Sequence, residues 1–331
     1  MKRAIEGFLI AIVLAAAPLT RARAAESGTQ ETSAIAEATK YFDRANKFVE
    51  AGSLPRAKLE YEKAIKLYPK YLDAYYNLAV VCEKLGEKGG AIDQYKRYLE
   101  IKPDDADVWN QVGVLYDETG SKKEGRNAYQ KALAINPKYG RAHHNLGVLL
   151  KEEGDLKGAE QHLATFVKLE EEAGRPNGDA YYSLGILYLQ ELRDKDAKLL
   201  LQKAIDIDPS VPHFNNAMGD TYLLEKRPDE SIVYYKKAIE KDPKYALAYS
   251  GLGDAYAQLK ERDKALTAYR KALELRPDYA LVYYKLGLFY EDNNPTEAIK
   301  NFEKYLQSGR TIEYRDEVAA KIEALKLTLK P

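Results

Sequence analysis

Asn77, Gln111 and Asn145 follow one another at intervals of 34 residues. A carboxamide both donates and accepts, so a row of them can pair with the N–H and C=O groups of an extended main chain whatever side chains that chain carries. Tyr76, Asn110, Arg141, His144, Tyr182, Ser183 and Asn216 fall on the same expected surface. Further along it Asp220, Ser250, Asp254, Tyr284 and Lys285 replace the amides. A second use for the amides is to bond from repeat to repeat, and sequence alone leaves both uses open.

Other chemistry fares less well. His143, His144 and His162 lie close together in sequence, but adjacent residues on a helix diverge by about 100°, whereas helical metal pairs stand four apart. His143 also takes the place that Trp109 and Tyr181 hold in neighbouring repeats, so packing accounts for it. No glycine-rich phosphate loop follows a strand, no G-x-S-x-G elbow occurs, and no nucleophile has a base at a matching spacing. We therefore expect no enzymatic activity, no cofactor and no metal. Cys82 is the only cysteine, which precludes an internal disulfide. It aligns with Phe48, Tyr116, Leu150 and Tyr188 and reads as a small core residue.

The elements that position these groups are set by a period. Proline recurs at Pro69, Pro103 and Pro137 and again at Pro209, Pro243 and Pro277, 34 residues apart within each set. Between the prolines the pattern gives two amphipathic helices per unit. Small residues mark the first helix at Ala45, Ala79, Gly113, Gly147, Gly185, Gly219, Gly253 and Gly287. They mark the second at Ala57, Ala91, Gly125, Ala159, Ala197, Ser231, Ala265 and Ala298. Small side chains at a fixed place let two antiparallel helices approach to about 8–10 Å. Four residues after the second small position stand Tyr61, Tyr95, Tyr129, Leu163, Leu201, Tyr235, Tyr269 and Phe302, a stripe expected to form the core.

This pattern of an aromatic, Leu-Gly, a turn glycine, A-x3-Y/F and a closing proline resembles the tetratricopeptide repeat. Trp109, Val112, Gly113, Tyr116, Gly120, Tyr129, Ala132 and Pro137 carry most of it within one unit, with Gly125 in place of the usual alanine. The resemblance covers residues 35–309 as about eight repeats. It implies an all-α solenoid, a right-handed superhelix whose first helices line a concave groove that binds a protein or peptide. Some family members hold a ligand main chain with asparagine ladders, and others grip a C-terminal carboxylate. The places for that clamp hold Phe42, Asn46, Asn77, Asp107 and Gln111, and an acid where a base is needed argues against it.

The repeat is interrupted at 170–177, where four extra residues lengthen the second helix of the fourth unit before Gly174 and Pro176 end it. At the C-terminus, 310–331 reads as one amphipathic capping helix, with Val318, Ile322, Leu325 and Leu329 on one face, to cover the last repeat. Residues 25–34 lack large apolar groups and read as a flexible linker. Residues 1–24 read as a signal peptide: Lys2 and Arg3, an apolar run from Phe8 to Ala17, then Ala22-Arg23-Ala24. Cleavage there predicts a periplasmic protein without a stable membrane anchor. The mature chain would carry 47 basic against 50 acidic residues, a balance that lacks the basic excess of a nucleic-acid binder. The expected function is an exported scaffold that binds an extended peptide or partner protein. A glycan-binding accessory protein of envelope polysaccharide synthesis or export, stacking sugars on Tyr76, Tyr182 and Tyr284, is the alternative. Self-association through a terminal repeat face is a further expectation.

Overall fold

The computed structural model describes residues 28–308 and 314–329; the expected signal peptide and residues 25–27 lie outside them. Among the described residues there are seventeen helices and no strand. The described residues divide into two compact units, up to residue 169 and from residue 170 on, at the place where the 34-residue period is interrupted.

The first unit holds α1 (Gly28–Glu50), α2 (Leu54–Leu67), α3 (Leu72–Lys84), α4 (Lys88–Ile101), α5 (Ala106–Glu118), α6 (Lys122–Ile135), α7 (Gly140–Glu152) and most of α8 (Leu156–Glu172). The second holds α9 (Gly178–Gln190), α10 (Asp194–Ile207), α11 (Pro212–Leu224), α12 (Pro228–Lys241), α13 (Ala246–Gln258), α14 (Arg262–Leu275), α15 (Ala280–Tyr290), α16 (Pro295–Gln307) and α17 (Arg315–Thr328). Odd-numbered helices up to α15 are first helices and even-numbered ones are second helices. Within each unit a second helix also packs on the first helix of the next repeat, as α2 does on α3 and α12 on α13. First helices touch one another too, α5 with α7, α9 with α11 and α11 with α13.

The sequence dictates where these helices stop. Each closing proline stands two residues beyond the last residue of a second helix, as Pro103 does beyond Ile101 and Pro243 beyond Lys241. A proline lacks the N–H that another turn would require, and it disfavours helical backbone in the residue before it. Asp105 starts α5 by accepting from Val108 N at 3.2 Å, and Asn177 starts α9 by accepting from Asp179 N at 2.9 Å. Such caps satisfy N–H groups that have no partner within the helix.

The core is one seat repeated. The second-helix side chains Tyr61, Tyr95, Tyr129, Leu163, Leu201, Tyr235, Tyr269 and Phe302 are all buried. Most of them rest on the small residue of the facing first helix. A Cβ added to Gly253 would stand 2.6 Å from Cδ1 of Tyr269, and one on Gly287 would stand 2.3 Å from Cδ1 of Phe302. Bulk at either place would push the ring out and part the helices. Between these seats an aromatic residue four before the small position lies beneath a lysine of the second helix. Trp109 is capped by Lys131 at 4.0 Å, Tyr181 by Lys203 at 5.0 Å and Tyr283 by Lys304 at 5.1 Å. Each is a cation–π contact.

The ends differ in part from the sequence expectation. Residues 28–34, read as linker, are the first turns of α1. Ala38, Phe42 and Ala45 are packed against α2 and α3, and once that turn is fixed each further residue extends a helix at little cost, so Thr, Gln and Ser continue it. At the other end, α17 buries Val318, Ile322 and Leu325 against Phe302 and Tyr305 of α16. Leu329 lies beyond the helix and is half exposed. α8 has 17 residues where most second helices have 14, and Gly174 ends the extension with φ +66°.

The turn inside each of the first seven helix pairs has one residue in the left-handed region. Gly52, Gly86, Gly120 and Gly154 fill it in the first unit, but Leu192, Lys226 and Lys260 adopt φ of 58°, 58° and 60° in the second. A side chain there pays a steric cost that glycine avoids. Leu192 is 86% exposed, so Leu192→Gly removes strain without losing packing. We expect it to raise the unfolding free energy by about 0.5–1 kcal/mol in urea titration, and an unchanged or lower midpoint would contradict the strain.

Candidate partner-binding face

The residues singled out in sequence lie on the first helices, Tyr76 to Asn145 in the first unit and Tyr182 to Asn216 in the second. One position, two residues before the small residue, reaches back to the preceding repeat. Asn77 Nδ2 lies 3.4 Å from Asn46 Oδ1 and from the Tyr61 hydroxyl, Gln111 Nε2 donates to Glu83 Oε2 at 2.8 Å, and Asn145 Nδ2 donates to Asn110 Oδ1 at 3.0 Å. The amides therefore do not form one mutual row. They bridge neighbouring first helices, and burial differs among them. Asn77 is fully enclosed, and Asn110 and Asn216 are buried too, so these three do not line open surface as the sequence reading had it. The reason is geometric: the preceding repeat's Asn46 and Tyr61 close over Asn77, while Gln111 and Asn145 remain half-exposed.

The remaining residues of that set lie along the same helices. Tyr76 is half-buried against the edges of Tyr95 and Tyr98, at 5.7 and 6.0 Å. His144 meets Phe166 at 5.1 Å, and Arg141 is exposed. In the second unit Tyr182 contacts His213 and Phe214, at 4.8 and 5.5 Å, and burial pushes its hydroxyl up to about 12. Ser183 is half-buried beside it. Of the tyrosines offered as sugar platforms, Tyr284 already stacks on Tyr314 at 4.7 Å with rings 7° apart, so one of its faces is covered.

A feature the sequence reading missed is that first helices supply acceptors to four of the buried second-helix tyrosines. Tyr61 donates to Asn46 Oδ1 at 2.5 Å, Tyr95 to Glu83 Oε1 at 2.6 Å, Tyr235 to Asp220 Oδ1 at 2.6 Å and Tyr269 to Asp254 Oδ1 at 2.7 Å. Where the second helix carries Leu163, Leu201 or Phe302, the residue corresponding to Asp220 is Val148, Ile186 or Leu288. A buried hydroxyl without a partner costs about 1–3 kcal/mol, so in these three repeats an apolar residue on the second helix goes with an apolar one on the first; Tyr129 opposite Val114 departs from that pairing. Glu83 is raised above the usual carboxylate range by burial, although its bonds from Tyr95 and Gln111 oppose the shift.

The histidines form a pair, not a ligand set. His143 Nδ1 lies 2.9 Å from His162 Nδ1, and His143 Nε2 lies 3.0 Å from the Pro137 carbonyl. The carbonyl can only accept, so His143 carries its proton on Nε2 and takes one from His162 at Nδ1. Among the described residues no three His, Cys, Asp or Glu side chains gather as a metal site would require. Cys82 is buried, and burial pushes its thiol up to about 11, away from the reactive thiolate.

Helix pairs stacked through small seats, with a polar face along the first helices, define an α-solenoid of the kind used as a binding scaffold. Patterns described as tetratricopeptide repeat match residues 42–106, 106–139, 128–161 and 178–211, and others described as TPR repeat match 219–260 and 253–294. Together they cover more than half of the chain, which belongs to the tetratricopeptide repeat family. A search of curated proteins finds no match. Among solved structures, a tetratricopeptide repeat protein from Parabacteroides merdae is 18% identical with a TM-score of 0.63, over 76% of this chain and 98% of that one. Yeast Tom70 is 18% identical with a TM-score of 0.62, over 94% and 67%. A chain of the APC/C hetero-tetramer Cut9-Hcn1 is 21% identical with a TM-score of 0.60, and this chain spans about half of it, 52%, using 82% of its own length. At such identities the likeness is one of fold.

His162 sets a pH test. Burial, followed by the neighbouring His143, lowers its pKa below the ordinary 6.5, so the unfolded chain takes up a proton first as pH falls. The stability it contributes is present above about pH 6.5 and is lost as pH falls through the folded value. His162→Ala, with the residue that Ala128 and Ala268 place in other repeats, should flatten the acid decline in thermal stability. An unchanged decline would rule out the pair as its source.

Proposed function

We propose that this protein is a non-catalytic scaffold that binds an extended segment of a partner protein along its first-helix face, and that it works after export to the periplasm. Repeats of this family generally mediate protein–protein interaction. The observation that carries the reading is a set of half-exposed polar residues on the first helices of each unit, Gln111, His144 and Asn145 in the first and Tyr182 and Ser183 in the second. Amides and hydroxyls along a face can hold main-chain groups while side-chain preferences stay broad. The amphipathic stripes are spent on packing one repeat upon another, so recognition is left to this polar face.

Export rests on the charged, apolar and small-residue order of residues 1–24. No described helix is long and apolar enough to cross a membrane. Cell fractionation with N-terminal sequencing tests this part: a periplasmic chain beginning at Ala25 supports it, and a cytoplasmic chain beginning at Met1 refutes it.

For the binding face, a partner captured by crosslinking in cells supplies the ligand. Gln111→Ala combined with Asn145→Ala should weaken its binding about tenfold, the loss of one or two hydrogen bonds, with unchanged helical circular dichroism. Unaltered affinity, or a footprint confined to the second helices, would overturn the assignment.

A further inference from the structure

The back-reaching position has one instructive gap. In the last repeat it is Lys285, whose ammonium meets two acceptors of the preceding repeat, Ser250 Oγ at 3.0 Å and Asp254 Oδ2 at 2.5 Å. The other oxygen of Asp254 takes the Tyr269 hydroxyl at 2.7 Å. Shifted by one repeat, every acceptor is present again. Asn216 stands where Ser250 stands, Asp220 replaces Asp254, and Tyr235 donates to Asp220 Oδ1 at 2.6 Å as Tyr269 does to Asp254. The residue in the place of Lys285 is Gly251.

The chain cannot fill this gap itself. The Tyr235 ring lies so close that a Cβ on Gly251 would stand 2.4 Å from its Cε1, a distance no side chain tolerates. At the other apolar residue of this series, Ala217, the preceding repeat offers Tyr182 and Ile186, which call for no donor. At Gly251 it offers an amide and a carboxylate. Asn216 is 7% exposed, its Nδ2 donates to Asp220 Oδ2 at 2.9 Å, and its Oδ1 has no hydrogen-bond partner among the described residues. Asp220 is held by neutral donors only, Tyr235 and Asn216, and it is open to solvent.

We propose that Asn216 and Asp220, beside Gly251, form a subsite for a primary ammonium group of the bound peptide, placed as Lys285 places its own ammonium one repeat further on. The proposal deepens the first-helix reading above by giving one position of the ligand a charge. Its electrostatics agree. Although the Asp220 side chain keeps surface open to solvent, desolvation by the neighbouring protein pushes its carboxyl up to about 6, with the Tyr235 bond and the more distant Lys285 opposing the rise and Asp254 adding to it. Tyr182 and Tyr245 are the other titratable groups near it, and their hydroxyls are neutral at this pH. A carboxylate raised in this way gains from a cation that arrives with a ligand. Ammonium binding should therefore weaken as pH falls through about 6.

Such an ammonium can come from a lysine side chain or from a peptide N-terminus, and three small probes separate the sources. They are Nα-acetyl-lysine N-methylamide, alanine N-methylamide with its amino group free, and Nα-acetyl-norleucine N-methylamide. Each is titrated into the full chain while the side-chain amide resonances of Asn216 are followed by NMR. Either amine should shift them, the tighter one identifying the source, and norleucine should not. Asp220→Asn keeps an acceptor for the Tyr235 hydroxyl and should weaken the shift about tenfold or more. Equal shifts from norleucine, or full binding by the variant, would overturn the subsite. Amine binding in a protein whose partner docks elsewhere would leave the subsite standing and remove the first-helix reading. A partner segment that binds the first-helix face as well with norleucine as with its amines would do the reverse.

Discussion

The structure depends on one contact, the seating of a large second-helix side chain on a small first-helix residue. Burying a tyrosine, leucine or phenylalanine contributes about 1.5–3 kcal/mol, but only if the facing backbone comes close enough to leave no void. Alanine or glycine permits that approach in each first helix. Since the seat recurs, each helix pair carries its own interior and gains the rest from its neighbours. No single central core is needed, and in each unit the first helices keep polar surface for other uses.

The seat also explains the polar chemistry. Tyrosine, the large residue used most often there, brings a hydroxyl into the interior and so requires an acceptor. Asn46, Glu83, Asp220 and Asp254 meet that need, and all of them lie on first helices. Residues reaching back from the following repeat then complete those acceptors, Asn77 on Asn46, Gln111 on Glu83 and Lys285 on Asp254. A packing requirement thus builds a line of hydrogen-bonded polar groups along the face expected to bind. Where the line is incomplete, at Gly251, a ligand has something to offer.

The seats were legible in the sequence because both partners obey the 34-residue period, so aligned small and large residues reveal the pair. The closing prolines were legible for the same reason. The hydroxyl acceptors were not, because they shift along the first helix, Glu83 being one turn beyond the place of Asp220. The bridging role of the amides was one of two readings open in sequence, and the burial of Asn77 depends on Asn46 and Tyr61 of the preceding repeat closing over it, which spacing alone does not show. The helical start of α1 was missed because polar residues without an apolar partner resemble a tail until a packed turn extends through them. Gly251 could have been found by laying each repeat on the next and asking which acceptors lose their donor.

The most direct test of the central contact is amide hydrogen exchange on Gly253→Val. The added branch would collide with Tyr269, whose ring already lies 2.6 Å from the place of a Cβ. If the seat holds each pair together, exchange should quicken in α13 and α14 and in the helices that touch them, with the first unit unchanged. Undisturbed protection in α13 and α14 would show that small residues at this position are incidental, and would contradict the account.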